Sequence, residues 1–257
     1  MESDALFSAA PSSFAGGNQI LSALNEVAIL LPVFLLIFTW RGFMQALIAK
    51  MMGDRTPEDD GFLTLNPLAH VDLVGMLMIL GGFFFAAAFL SSAIPRTILL
   101  MMLIMTGVRW TIPVHIDDRN FKNYRLGGII TSLTGPLSNF LLAFASVGML
   151  RLVIALNLAP FATITIVEII KMLIHLTLFF GVIALVPLPP FDGGKILHYA
   201  LPYRLQWIVQ KLEEYSLIIL LVILFAPGIS TLFFGGIFKV AWFIKRIMFS
   251  VFFNLGM

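Results

Sequence analysis

Apolar residues in this chain run in long unbroken stretches instead of alternating with polar ones. Residues 73–95, 126–150 and 215–238 contain no charged residue. Residues 20–40 are interrupted only by Glu26, and 163–186 carry Glu168, Lys171 and His175 in an otherwise apolar run. A helix of about 20 apolar residues crosses the hydrocarbon core of a bilayer, so these five stretches predict five spans. Residues 97–108 are also uncharged, but too few for a full crossing; they predict a short span or a re-entrant piece. The pattern divides the chain into a polar N-terminal tail (1–19), one membrane domain (20–238) and an amphipathic C-terminal tail (239–257).

Composition closes off a soluble reading. Apolar residues make up 60% of the chain and charged residues 12%, against roughly a quarter charged in an average soluble domain. Such a chain lacks the polar surface to cover itself in water, so its solvent is largely lipid. The net charge of +2 is small and the basic residues are scattered, which argues against nucleic acid as a partner. With no cysteine, disulfides and thiolate metal sites are excluded. Residues 1–19 hold Glu2 and Asp4 but no Lys or Arg, so they lack the basic start of a secretory signal and read as a retained tail. Basic residues mark the connections expected on the cytoplasmic side. None precedes Arg41; Lys50 and Arg55 follow the first span; Arg109, Arg119, Lys122 and Arg125 crowd a second connection, and Lys195, Arg204 and Lys211 a third. The expected orientation has the N-terminus outside, provided 97–108 returns the chain inward.

Three motifs are more specific than hydropathy. The first is Gly53-Asp54-Arg55-Thr56 followed by Leu65-Asn66-Pro67-Leu68-Ala69-His70-Val71-Asp72. The second, Gly135-Pro136-Leu137-Ser138-Asn139, lies inside an apolar stretch. The third, Pro187-Leu188-Pro189-Pro190-Phe191-Asp192-Gly193-Gly194, places irregular backbone beside a carboxylate at membrane depth, where such backbone is tolerated only if buried in protein or facing a cavity.

In this order and spacing the three motifs resemble the site-2 protease family of intramembrane zinc metalloproteases, particularly its compact bacterial branch. The likeness runs from about residue 33 to the C-terminus. It implies an all-α, polytopic transmembrane bundle of site-2 protease type with five to six membrane segments, in the bacterial cytoplasmic membrane. In that family a helix bearing His-Glu-x-x-His and the late Asp hold zinc, and the Glu activates water. Two histidines at i and i+4 share one helix face, and a carboxylate completes three protein ligands with a fourth position left for water.

This chain departs from that pattern where the chemistry resides. Counting back from Gly53-Asp54, Arg41 and Gln45 stand where the histidines belong, and Gly42 stands where the glutamate belongs. Arg has no lone pair to offer a dication, and glycine has no side chain. His115 and Ala184 stand where the family carries asparagines, and the stretch between Gly75 and Pro113 is longer than usual. The resemblance therefore implies a pseudoprotease: a degenerate zinc site at Arg41, Gly42, Gln45 and Asp192, no catalytic residue, no metal and no other cofactor. Its expected role is a non-catalytic binding or structural subunit, partnered by membrane lipid and by another integral membrane protein or multi-subunit membrane complex. Asn66, His70, Asp72, His115 and Asn139 are the candidate partner-binding cleft. Asn139 either binds a partner's backbone or caps irregular backbone of its own. A zinc protease with unorthodox ligands is the alternative, although His70, His175, His198 and Asp192 lie on separate segments without ligand spacing; a transporter or channel is a third class.

Four further expectations concern packing. Arg41 is expected to form a salt bridge with Asp192 across the former metal site, with Gln45 donating to Asp192 or nearby backbone. Glu168 and Lys171, three apart, are expected to pair locally. His175 is expected to be a satisfied bundle residue. Residues 58–60 are expected to form a solvated turn.

Overall fold

The computed structural model describes residues 19–72, 112–156 and 160–253. The stretches predicted at 73–95 and 97–108, and the tail before residue 19, lie outside the described residues. Within them the architecture is helical, with no β-strand among the described residues.

The first helix, α1 (Gln19–Met52), runs well past the predicted end at residue 40. It is about 50 Å long at 1.5 Å per residue, so its basic end projects beyond a hydrocarbon core of about 30 Å. Gly53 ends it: the amide of Gly53 donates to Lys50 O at 3.1 Å and that of Asp54 to Ala49 O at 3.0 Å. This paired closure requires a left-handed residue, and Gly53 supplies it at φ +119°.

A short helix, α2 (Thr56–Asp59), and a 3-10 turn (Pro67–Ala69) follow. Residues 112–117 carry no regular structure. Next come α3 (Tyr124–Ala155), α4 (Pro160–Ala184), the short α5 (Asp192–Ala200), α6 (Gln206–Phe225) and α7 (Pro227–Phe253).

Among the described residues, three stretches are long and apolar enough to cross a membrane: Ala28–Met52, Tyr124–Ala155 and Ile164–Ala184. A fourth crossing arises if Tyr203–Ile223 and Gly228–Phe253, bent by 96°, count as one broken span.

The single span expected over 215–238 is therefore divided. Ala226 is extended (φ −82°, ψ 109°) because it precedes Pro227, which cannot donate an amide and disfavours helix in the residue before it. The boundary expected at 238/239 is absent too, since α7 runs unbroken to Phe253.

Two apolar clusters hold the bundle among the described residues. Leu30, Val33, Phe34, Ile37 and Phe38 of α1 pack on Leu173, Leu176, Phe179, Phe180 and Ile183 of α4. The Phe180 ring meets Phe34 at 5.9 Å and Phe38 at 5.3 Å, both edge to face. Ala143, Val147 and Leu150 of α3 join Ile170, Ile174 and Leu178 of α4 and Ala241, Met248 and Phe249 of α7 in the second. Helix α4 is thus shared by both clusters, and α1, α3 and α5 converge at the other end of the bundle.

Candidate functional site

Helix α1 presents Arg41 and Gln45 one turn apart on one face, and α5 presents Asp192 in its first turn, where the helix N-terminus favours a negative charge. Asp192 is buried, and Arg41 Nη2 donates to its Oδ2, so the expected salt bridge is present. Lys195 Nζ stands 4.0 Å from the other carboxylate oxygen.

Gly135 of α3 explains how three helices meet here. A Cβ at this position would collide with Asp192 Oδ2 and lie 2.8 Å from Gln45 Nε2 and 3.0 Å from Arg41 Nε. The Gly of Gly-Pro-x-x-Asn thus leaves the room in which the α1 and α5 side chains come together. Gln45 reaches this point without the expected hydrogen bond to Asp192; among the described residues no such bond is formed.

Gly42 has an equally specific neighbour. A Cβ there would collide with Nδ1 of His70 and lie 2.9 Å from its Cε1. The His70 ring is buried, sits 5.6 Å from the Phe62 ring, and donates from Nε2 to Thr64 O at 2.9 Å. Its Nδ1 has no hydrogen-bond partner among the described residues. The space into which a side chain at position 42 would grow is filled by an imidazole from another segment.

The other candidates for a partner-binding cleft do not gather into one exposed surface. Asn66 accepts from Leu68 N at 3.1 Å and so caps the 3-10 turn. His115 is exposed and faces Asp60, with Nδ1 3.4 Å from Oδ2, so residue 60 of the expected solvated turn has a partner. Asp72 is half-buried at the edge of the described segment. Asn139 is fully buried on α3, and neither side-chain atom has a hydrogen-bond partner among the described residues, so it caps nothing there. The neighbouring Ser138 carbonyl instead accepts from Trp40 Nε1 of α1 at 3.0 Å.

One site residue escaped the sequence reading. Asp54 has no exposed surface and accepts from Thr56 Oγ1 (2.6 Å), Thr56 N (3.1 Å), Asp117 N (2.9 Å) and Asn120 Nδ2 (2.9 Å). Burial works against its ionisation, but the hydrogen bonds from Thr56, Asn120 and Asp117 outweigh it and lower its pKa. Only its place in the Gly-Asp turn marked it in the sequence.

Could these residues hold a zinc ion? Zinc takes lone pairs from imidazole, thiolate or carboxylate. Arg41 offers none, Gly42 has no side chain, Gln45 offers only an amide, and Asp192 is engaged by Arg41. No group of three or more His, Asp or Glu side chains suited to a metal occurs among the described residues. The residues present do not fit zinc.

Fold and site together define an integral membrane bundle of site-2 protease type. The chain belongs to peptidase family M50, whose model matches residues 28–227. It is 30% identical over 207 residues to the Bacillus subtilis (strain 168) protein called "Putative zinc metalloprotease YwhC", a match covering 79% of this chain and 83% of that one. No solved structure matches.

Proposed function

We propose that this chain is a pseudoprotease of family M50: a non-catalytic binding or structural subunit of a membrane protein assembly. The observation that carries the reading is the Arg41–Asp192 ion pair seated on Gly135. A cation fixed on a side chain stands where the family would place a metal, and it satisfies the carboxylate that would have been a ligand. The His70 ring over Gly42 supports the same reading, because the position of the water-activating glutamate has lost both its side chain and its space.

The test is elemental analysis of protein purified in mild detergent, together with cleavage of a panel of single-span membrane peptides. The expected result is substoichiometric zinc, no cleavage, and co-purification of a second membrane protein in fixed ratio. About one tightly held zinc per chain with chelator-sensitive cleavage would overturn it.

A zinc protease with non-standard ligands is the second reading. It draws on the buried Nδ1 of His70 beside α1, without a hydrogen-bond partner among the described residues, and the same zinc measurement separates the two.

A further inference from the structure

The basic end of the bundle can be located from contacts. Lys50 and Arg55 stand at the end of α1, whose Met52 O accepts from Lys122 N at 3.1 Å. Helix α3 starts just after, at Tyr124. Helix α6 also begins here. Gln206 Nε2 donates to His198 O at 2.8 Å. The next residue, Tyr199, donates from its hydroxyl to Asp118 Oδ2 at 3.1 Å and meets the Tyr124 ring edge to face at 5.3 Å.

Helix α7 finishes at the other end. The Phe252 ring lies 4.9 Å from that of Phe144, and the Arg151 guanidinium lies 5.4 Å over the Phe253 ring. Arg151 is about one turn before the end of α3, which has 32 residues. Such a helix is about 48 Å long, against about 30 Å for a hydrocarbon core. The path between is marked along α4. Phe238 meets Phe179 at 5.5 Å, Lys245 Nζ lies 2.8 Å from His175 Nε2, and Met248 and Phe249 share a cluster with Ile170 and Ile174. Later residues of α7 meet earlier residues of α4, so the two helices are antiparallel. The expected local pair between Glu168 and Lys171 is not formed among the described residues. Lys171 instead lends its carbonyl to His175, whose Nδ1 donates to it at 2.7 Å.

We propose that α6 and α7 together make one crossing, and that Phe253 reaches the membrane face opposite to the basic connections. The competing arrangement has two crossings, because α6 has 20 residues and α7 has 27, each enough for about 30 Å of hydrocarbon. Two crossings would bring Phe253 back beside Lys50 and Lys122, whereas it stacks under Arg151 at the far end of α3. The crossing also lies later in the chain than hydropathy places it, since residues 239–253 form its far half. Lys245 is then a charge at membrane depth, buried, and met there by His175 and by the Phe249 ring at 5.8 Å. Ionisable groups within a span are found paired in this way. With the basic face cytoplasmic, Phe253 and the start of α1 share the outer face. This path of the chain is the same whether or not protease chemistry has been lost.

The chain contains no cysteine, so single introduced cysteines report their side of the membrane directly. Tyr203→Cys, just before α6 and 90% exposed, marks the basic end; Leu156→Cys, at the end of α3 and 58% exposed, marks the far end. The third variant carries a cysteine on a short Gly-Ser linker after Met257. In intact bacterial spheroplasts treated with a membrane-impermeant maleimide, the appended cysteine should label as L156C does. Y203C should label only after the membrane is opened. An appended cysteine that labels with Y203C would mean two crossings and overturn the proposal, as would Y203C and L156C labelling from one side. A second measurement does not depend on the linker. A short bismaleimide should join R151C to F253C, seen by mass spectrometry as linked peptides, and should not join Y203C to F253C. The reverse pattern would overturn the proposal.

Discussion

Asp192 keeps 3% of its side chain accessible and Arg41 keeps 26%, so the two ends of the ion pair carry different penalties when they are separated. Arg41→Ala leaves a carboxylate buried, with Lys195 at 4.0 Å as partial compensation, and should cost about 3–5 kcal/mol. Asp192→Ala leaves a guanidinium that can still reach solvent and should cost less, about 1–3 kcal/mol. The double variant should cost less than the two summed, as coupled neighbours do; thermal unfolding in detergent measures all three. Additive costs would mean that the pair contributes little. His70 sets the terms for rebuilding a metal site. Arg41→His, Gly42→Glu and Gln45→His together restore the ligand pattern, but a side chain at 42 meets the imidazole. That triple variant should purify with no more zinc than the parent, and adding His70→Gly should raise zinc content. Zinc uptake by the triple variant alone would show that the ring moves aside. The replacement of the motif's histidines and glutamate by Arg41, Gln45 and Gly42 was legible in the sequence, because residue type alone decides ligand chemistry. That the His70 ring lies against Gly42 was not, because no local pattern says which ring packs on a glycine 28 positions earlier.

At the scale of an element, the end of α1 shows the same division. The Gly-Asp turn was readable through the family resemblance, whereas hydropathy alone ended the first span at residue 40. Its partner was not: Asp54 ties α1 to residues 117–120, more than 60 positions away, through Asp117 N and Asn120 Nδ2. The pKa of Asp54 is lowered in the fold, against about 3.9 for an unperturbed aspartate. The carboxylate therefore stabilises the fold fully above that unfolded value, and the contribution is lost as pH falls through the lower folded one. Unfolding followed from pH 6 down to pH 3 should show stability falling below about pH 4, and Asp54→Asn should flatten that part of the profile. An unchanged slope in Asp54→Asn would assign the loss to other carboxylates. The break at Ala226 was missed for a different reason. Residues 215–238 are uniformly apolar, so hydropathy reads them as one element, and only Pro227 signals the division.

For the molecule as a whole, hydropathy and helix length carried most of the reading. α1, α3 and α4 fall where the apolar stretches predicted them, because the bilayer requires helices of that length with internally satisfied backbones. Which faces meet was beyond reach. Lipid and core are equally apolar, so hydrophobicity does not distinguish the outside of a membrane helix from its inside. His175 illustrates it: satisfied as expected, through Lys171 O and Lys245 of α7, yet exposed on α4 among the described residues. Its bond to Lys245 also pins α7 to α4 inside an otherwise apolar cluster. His175→Ala should therefore loosen α7, seen as faster proteolysis in the 226–253 region, while Lys245→Met should be tolerated, because it fills the same volume without a charge to satisfy.

The ion pair between α1 and α5 also has a history within each molecule, because its members are made at different times. Arg41 precedes Asp192 by 151 residues. At about 5–20 residues per second of synthesis, the guanidinium waits on the order of ten seconds for its carboxylate. During that interval α1 holds a charge near its membrane-exit end that only the lipid headgroups or water can satisfy, which favours a position drawn toward the interface. Helix α1 can settle to its final depth only once α5 has arrived. Closure of the bundle is then a late event of assembly, timed by the ribosome.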